Sequence, residues 1–143
     1  MEIINDYKNF IGEMLTVPEM QNWVLDLLKK SRISQSIASD INAALGEALS
    51  NILSHAYKSE TLKPVKIKVI VDTEKAIISV RDFGRKFDIA SYVPPEATKG
   101  SSAGRGIYLM RKLMDGVQYF PQEIGTELLM WKSLTDHYAV ASD

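Results

Sequence analysis

Cysteine is missing from all 143 residues of the chain. A disulfide framework and a thiolate metal site are therefore both excluded. Nowhere do about 20 apolar residues follow one another, as a membrane-spanning helix would require. The opening segment, MEIINDYKNF, has neither the basic start nor the apolar centre of a signal peptide. These absences predict a cytoplasmic protein that does not enter a membrane.

An excess of positive charge is missing as well. Seventeen Lys and Arg residues are nearly balanced by eighteen Asp and Glu residues, and the formal net charge is -1. Proteins that bind nucleic acid directly usually present a strong positive field, so we expect no direct nucleic-acid partner. The length and the 45% apolar content suit one globular domain, which we predict over residues 1–143.

The first half of the chain predicts two helices. Thr16 and Glu19 have the S/T-x-x-E spacing of a capping box, and the apolar spacing that follows predicts a first helix to about Lys30. A longer helix is predicted from about Ser36 to Ala56, because apolar residues recur there at intervals of three and four. Those residues are Ile37, Ile41, Ala44, Leu45, Ala48 and Ile52.

The apolar pattern then changes to the period of strands. Residues 65–71 alternate, and AIISVRD follows after a turn at 72–75, which predicts an antiparallel hairpin. Residues 83–104 are rich in glycine, proline and polar residues and predict a long loop. A short helix is predicted from Ile107 to about Met114, followed by the strands VQYF and TELLMWK. The last ten residues, 134–143, show no pattern and predict a frayed tail.

A polar stripe runs along the second predicted helix, in the segment GEALSNILSHAY at residues 46–57. With 3.6 residues per turn, its small and mixed polar side chains fall on a single face. The stripe consists of Glu47, Ser50, Asn51, Ser54 and His55. A solvated face usually carries long Lys, Glu and Arg side chains instead, so this composition favours the wall of a pocket.

A glycine-rich segment, GSSAGRGIYLM, occupies residues 100–110 just before the last predicted helix. Glycines let backbone amides approach an anion, and a helix N-terminus supplies free N–H groups, so phosphate binding is physically reasonable. Such a segment more often forms only a tight turn. The segment matches neither a Walker A loop nor a Rossmann fingerprint.

Asp82, Phe83 and Gly84 form a D-F-G tripeptide at the end of a predicted strand. The tripeptide also occurs in protein kinases, but their H-R-D loop, strand lysine and second lobe have no counterpart here. A carboxylate in this position could accept a hydrogen bond from the amino group of a flat ring, and the glycine would let that ring come close. A simple strand-ending turn is the alternative interpretation.

Taken together and in this order, the segments resemble the GHKL ATPases, the superfamily of gyrase, Hsp90, histidine-kinase and MutL nucleotide domains. In particular they resemble the RsbW and SpoIIAB type of anti-sigma factor, a small serine-protein kinase. EALSNILSHAY is similar to its N box, VRDFGRKFD to its G1 box and GRGIYLMRKLMD to its G2 box, while Gly125 and Thr126 open the last strand. The resemblance covers about residues 8–133. It implies an α+β Bergerat fold, a two-layer sandwich in which helices cover one face of a mixed, mostly antiparallel sheet.

For the phosphate end of a bound nucleotide, the resemblance implies that Asn51 ligates Mg²⁺ and that Glu47 acts as the general base. His55 lies where relatives often place a basic residue on phosphate; the alternative is a histidine packed beside Tyr57. Three further residues are implied to close over the phosphates. They are Gly104, Arg105 and Gly106.

For the base of the nucleotide, the resemblance implies that Asp82 accepts the adenine amino group, that Thr126 assists and that Gly84 forms the floor. The sequence departs from the wider superfamily at Lys86, which stands where a second glycine is common. It keeps the Phe87–Asp88 pair of the anti-sigma branch. A short lid is implied between the two nucleotide-binding segments.

The implied function is an ATP-binding anti-sigma factor with serine/threonine-protein kinase activity. It would phosphorylate a STAS-domain anti-anti-sigma factor and sequester a sigma factor, with ATP or ADP and Mg²⁺ as cofactors and a homodimer as a possible assembly. The alternative is a non-catalytic, ATP-gated binding module for a sigma factor or another regulator. The catalytic domain of a histidine kinase is disfavoured, since neither of the two histidines lies on a preceding dimerisation helix pair.

Overall fold

The computed structural model describes residues 3–56, 63–84 and 102–134. In these ranges the chain forms two layers, a five-stranded sheet and three α-helices that cover one of its faces. The elements, in chain order, are β1 (Ile4–Ile11), α1 (Val17–Lys30), α2 (Gln35–Asn51), β2 (Pro64–Val71), β3 (Lys75–Asp82), α3 (Ser102–Leu113), β4 (Gly116–Pro121) and β5 (Thr126–Ser133).

The sheet has the strand order β1-β2-β3-β5-β4, and every described pair of neighbours is antiparallel. The predicted α+β sandwich is thus confirmed, as is the hairpin, and the described strands include no parallel pair. In β2 the side chains of Val65, Ile67, Val69 and Val71 are fully buried toward the helices, while the intervening residues are partly exposed. This alternation produces one apolar face, which packs against α1 and shares one buried core with α2.

The first helix has the predicted extent, but its predicted capping box is wrong. A 3-10 turn ends at Thr16, whose backbone is already helical with φ -92° and ψ -5°. The Thr16 hydroxyl therefore turns back and donates to the carbonyl oxygens of Ile11 at 2.5 Å and Glu13 at 2.7 Å. It caps no amide of α1 and makes no reciprocal pair with Glu19.

The second helix confirms the long prediction over residues 36–56, with one change of geometry. Ser34 caps its start by accepting a hydrogen bond from the amide of Ile37 at 3.3 Å. The α-helix then ends at Asn51 and continues as a π-helical turn over Ile52–Ala56. Such wide turns are rare and are frequently found at functional sites. This turn follows directly after a residue of the polar stripe.

The third helix begins earlier than predicted, at Ser102 instead of Ile107. The glycine-rich segment therefore lies largely inside α3 and is not a loop before it. The physical reason is that Gly104 and Gly106 each weaken helix propensity by about 1 kcal/mol, which hides the helix in the sequence. Packing of α3 against α2 outweighs that cost, and Ile107 and Met110 are fully buried there.

The prediction of a frayed tail over residues 134–143 is wrong at Leu134. Leu134 is only 2% exposed, and its amide donates to the carbonyl oxygen of Glu74 at 2.7 Å, so the core extends one residue beyond β5. Residues 135–143 lie outside the described part. The same holds for residues 85–101, which include most of the implied lid, Lys86 and the Phe87–Asp88 pair.

Candidate functional site

The start of α3 lies against the polar stripe of α2 at Gly106. A β-carbon placed on Gly106 would lie 2.8 Å from Oε2 of Glu47, and 3.6 and 3.7 Å from Nδ2 and Oδ1 of Asn51. A residue other than glycine would force the end of the Glu47 side chain to move, because a β-carbon does not approach another atom within 3.0 Å. Three of the predicted phosphate-end residues are thus brought together by the packing of two helices.

The carboxamide of Asn51 is buried but incompletely paired. The residue is 7% exposed, and its Nδ2 has no hydrogen-bond partner in the described part of the chain. Leaving a buried donor unpaired costs about 1–3 kcal/mol, so this atom is a candidate to contact a water, an ion or a ligand. Rotation of the carboxamide by half a turn exchanges its nitrogen and oxygen. The side chain can therefore offer either a donor to phosphate or an oxygen to a cation.

The second part of the site lies where β3 meets β5. Asp82 follows the inward alternation of Ile78 and Val80, so its side chain points toward the helix layer, and it is 2% exposed. Its Oδ1 accepts the amide of Gly84 at 3.0 Å, and its backbone pairs with Thr126, which is also buried. The structure thus brings the three predicted adenine residues together.

Burial dominates the electrostatics of Asp82 and raises the pKa of its carboxyl group above the ordinary value. Backbone hydrogen bonds from Gly84 and Thr126, together with the positive charges of Arg81 and Lys63, act in the opposite direction. A buried carboxylate with its acceptor capacity only partly used is suited to receive a hydrogen bond from an amino group.

Gly125, in the turn before β5, lies close to the end of β3 and has an unusual backbone conformation. Its φ is +77°, a conformation that favours glycine, and a β-carbon there would lie 2.1 Å from the carbonyl oxygen of Asp82. The turn before β5 can therefore approach the end of β3 closely. This approach fixes Thr126 beside Asp82.

Two of the predicted site residues are described only by their backbone. His55 lies in the π-helical turn, and Arg105 lies in the first half of α3, but their side chains are outside the described part. Gly104 is likewise placed within α3. The predicted roles of these residues on phosphate stay predictions.

One buried charge was missed by the sequence analysis. Lys132 of β5 is 7% exposed, and its Nζ donates to the carbonyl oxygen of Leu113 at 2.5 Å and lies 3.3 Å from Oδ2 of Asp40. The strand TELLMWK contains the signal, because alternation places Lys132 on the same inward face as Leu128 and Met130. A lysine in an otherwise apolar position is rarely buried unless it is paired.

Comparison with known families identifies the chain. Residues 13–132 match the histidine kinase-like ATPase domain. The chain belongs to this family. Membership implies ATP binding, and it confirms the resemblance to the GHKL superfamily drawn from the sequence. None of the described helices has the length and apolarity needed to cross a membrane.

Relatives in this family include proteins named serine-protein kinase RsbW. The chain is 25% identical to the one from Listeria monocytogenes serotype 4a over 118 residues, which span 77% of this chain and 74% of the relative. It is 32% identical to the one from Bacillus licheniformis over 100 residues, which span 64% and 62%. These matches confirm the likeness to RsbW-type proteins.

A solved structure shares the fold. It contains the RsbU and RsbW domains of Rv1364c from Mycobacterium tuberculosis, and it superposes with a TM-score of 0.67 at 13% identity. The match covers 90% of this chain and 31% of the longer one. At this level of identity the likeness establishes the fold, which agrees with the antiparallel sheet and one-sided helix layer described above.

Proposed function

We propose that this chain is an ATP-dependent protein-serine kinase that phosphorylates a STAS-domain anti-anti-sigma factor and also sequesters a sigma factor. The relatives named serine-protein kinase RsbW support the kinase class. The observation that carries the proposal is the contact of Gly106 with Glu47 and Asn51, because it places a carboxylate and a carboxamide beside a glycine-bearing helix. A cytoplasmic location accords with these partners.

At the phosphate end, the oxygen of Asn51 would hold a Mg²⁺ ion that neutralises phosphate charge. The described residues contain no group of three or more His, Cys, Asp or Glu side chains that could hold a metal by themselves. Magnesium keeps several waters and commonly binds through one or two protein ligands plus substrate phosphates. After rotation of its carboxamide by half a turn, Asn51 would present its oxygen at the position that Nδ2 now occupies without a partner. The proposed phosphate contacts are Gly104, Arg105, Gly106 and His55.

Glu47 would act as the general base. Its carboxylate is half-buried on the same face of α2 as Asn51, one helical turn earlier. The serine oxygen would form a bond to the γ-phosphorus while the bond to the bridging oxygen of ADP breaks, and the serine proton would pass to Glu47. The remaining chemistry is positioning and charge stabilisation by residues around the phosphates.

At the other end, Asp82 would accept the exocyclic amino group of adenine. Gly84 presents no side chain, so a flat ring can lie against its backbone. The hydroxyl of Thr126 is close enough to assist, since Thr126 pairs directly with Asp82 across the two strands. An acceptor at this point favours adenine over guanine, which carries an oxygen in place of that amino group.

The test uses purified protein, a purified STAS-domain protein from the same organism, Mg²⁺ and γ-labelled ATP. Glu47→Gln is expected to bind ATP within about threefold of the wild type but to lose transfer by about 10²–10⁴-fold, the usual contribution of a general base. Asn51→Ala is expected to lose the Mg²⁺-dependent part of ATP binding. Glu74→Gln, which neutralises an exposed carboxylate in the β2–β3 turn, is the matched control and should leave both unchanged.

Three outcomes separate the alternatives. Phosphoserine on the STAS protein that disappears with Glu47→Gln supports the kinase. ATP binding by the wild type without any transfer, with sigma-factor binding that still depends on ATP, supports the non-catalytic binding module. Full transfer by Glu47→Gln contradicts the assignment of the base.

A further inference from the structure

Lys132 joins three elements at the end of α3. It projects from β5, donates to the carbonyl oxygen of Leu113 at the end of α3, and forms an ion pair with Asp40 of α2. The last carbonyl groups of a helix carry a partial negative charge, so a buried ammonium group is favourable in this position. Lysine also has three donors, which lets it serve both partners.

The two helices linked by Lys132 run in opposite directions with matched spacing. Gly106 meets Glu47 near the start of α3, and Leu113 is linked to Asp40 at its end. Gly106 and Leu113 lie seven residues apart on α3, and Asp40 and Glu47 lie seven residues apart on α2. Seven helical residues span about 10 Å at 1.5 Å per residue. The Lys132 contacts and the Gly106 contact therefore lie at two points of the same α2–α3 interface.

Asp40 also belongs to the face of α2 that carries the site. It precedes Glu47 by seven residues and Asn51 by eleven, spacings that return to the same side of an α-helix. Any sliding or rotation of α3 that moves Leu113 relative to Asp40 would also move Gly106 relative to Glu47. A β-carbon at Gly106 would displace the end of the Glu47 side chain, so the position of α3 bears directly on the position of that carboxylate.

We propose that Lys132 is a positioning residue: it fixes α3 against α2 and thereby sets the approach of the glycine-bearing start of α3 to Glu47 and Asn51. The expected effect on the reaction rate rests on the proposed kinase function. The placement of α3 against α2 by Lys132 does not depend on that function. A plain core ion pair would contribute to stability and leave the chemistry unchanged.

The first experiment compares Lys132→Met with Ile67→Ala. Methionine keeps an unbranched side chain but removes the charge, while Ile67→Ala weakens the core at a fully buried position on β2. Transfer is measured at a temperature at which circular dichroism shows all variants folded. Lys132→Met is expected to lower kcat about tenfold with KM for ATP changed less than threefold, since small misplacements of reacting groups have effects of this size. Ile67→Ala should keep its kcat.

The second experiment needs no phosphate transfer, so it separates failure of this inference from failure of the proposed kinase activity. Amide hydrogen exchange is followed in α3, from Ile107 to Met110, and in β2. Lys132→Met is expected to speed exchange in α3 at least tenfold while β2 stays protected, whereas Ile67→Ala should speed exchange in both.

Asp40→Asn provides a second variant if Lys132→Met fails to fold, because asparagine removes the negative charge at a partly exposed position and keeps an oxygen that can accept from Lys132. It should change kcat and α3 exchange in the same direction by a smaller factor. Unchanged kcat together with exchange that rises equally in α3 and β2 would show that Lys132 serves stability alone, and would overturn the inference.

Discussion

The backbone of Gly106 lies so close to the carboxylate of Glu47 that a β-carbon would fall 2.8 Å from Oε2. We expect Gly106→Ala to separate stability from activity. Alanine is favoured over glycine in a helix by about 1 kcal/mol, so the free energy of unfolding should stay equal or rise slightly. Glu47 must shift, however, and transfer to serine should fall at least tenfold. Urea unfolding and a transfer assay check the two parts.

Gly46→Ala is the matched control for that change. Gly46 is also a helical glycine, and its β-carbon would lie 2.9 Å from Nε2 of Gln21, again the end of a flexible side chain. The new contact involves α1 and no residue of the proposed site. Transfer should be unchanged in Gly46→Ala, and an equal loss of activity in both variants would contradict the specific role of Gly106.

Gly125→Ala is expected to destabilise the protein. Its φ of +77° is strained for alanine, at about 1–3 kcal/mol, and the new methyl group would overlap the carbonyl oxygen of Asp82. The free energy of unfolding should fall by at least about 2 kcal/mol. ATP affinity should fall as well, because Thr126 would move relative to Asp82. Thermal unfolding with and without ATP measures both effects, and unchanged values would show that the turn can relax freely.

Asp82→Asn should stabilise the free protein at neutral pH while weakening ATP binding. Burial raises the folded-state pKa of Asp82 above its ordinary value of 3.8, so the folded protein holds a proton more tightly than the unfolded chain. Stability contributed by this group is therefore lost as pH rises from 3.8 through the folded-state pKa. Asparagine does not ionise, so the Asp82→Asn variant does not lose stability in this way as the pH rises.

Thermal unfolding of wild type and Asp82→Asn across about pH 3 to 8 tests this expectation. The stability difference should favour the variant at neutral pH and shrink as the solution becomes acidic. A difference that is independent of pH would show that Asp82 is not strained by burial. ATP titration of the same samples should show at least about tenfold weaker binding, the range expected when one charged hydrogen bond is lost.

Tyr119 of β4 should ionise late. Burial raises the pKa of its phenol to about 12, despite the opposing charge of Arg111. The unfolded side chain titrates near its ordinary value of 10.0, so stability linked to Tyr119 is lost as pH rises between these two values. Ultraviolet absorbance of the phenolate should show a late-titrating component in wild type, and the part of it that Tyr119 contributes should be absent from Tyr119→Phe.

The sequence predicts most of the fold because the helices and strands of this chain have clear apolar periods. The hairpin is the best example, since four inward valine and isoleucine side chains in β2 alternate with partly exposed residues. The motifs also predicted which residues meet, and Glu47, Asn51 and Gly106 do lie together. What those residues do chemically is a separate question, which the proposed assays address.

The failures have local physical causes. Thr16 and Glu19 have the residue types and spacing of a capping box, but a preceding 3-10 turn places the backbone of Thr16 in helical geometry. The start of α3 was hidden because glycine suppresses helix propensity, and only packing against α2 reveals it. Lys132 was overlooked because a charge in the last strand is usually solvated; its partners, Asp40 and Leu113, are distant in the chain.

The wide helical turn at Ile52–Ala56 has a consequence for how relatives of this chain can differ in length. In such a turn each hydrogen bond spans five residues, so one residue more or fewer rotates the next turn without breaking the helix. Side chains four positions apart therefore do not stack in this turn as they do along α2 up to Asn51. Insertions and deletions among relatives should gather in this turn, where they reorient the exit of the helix and leave the buried face of α2 intact.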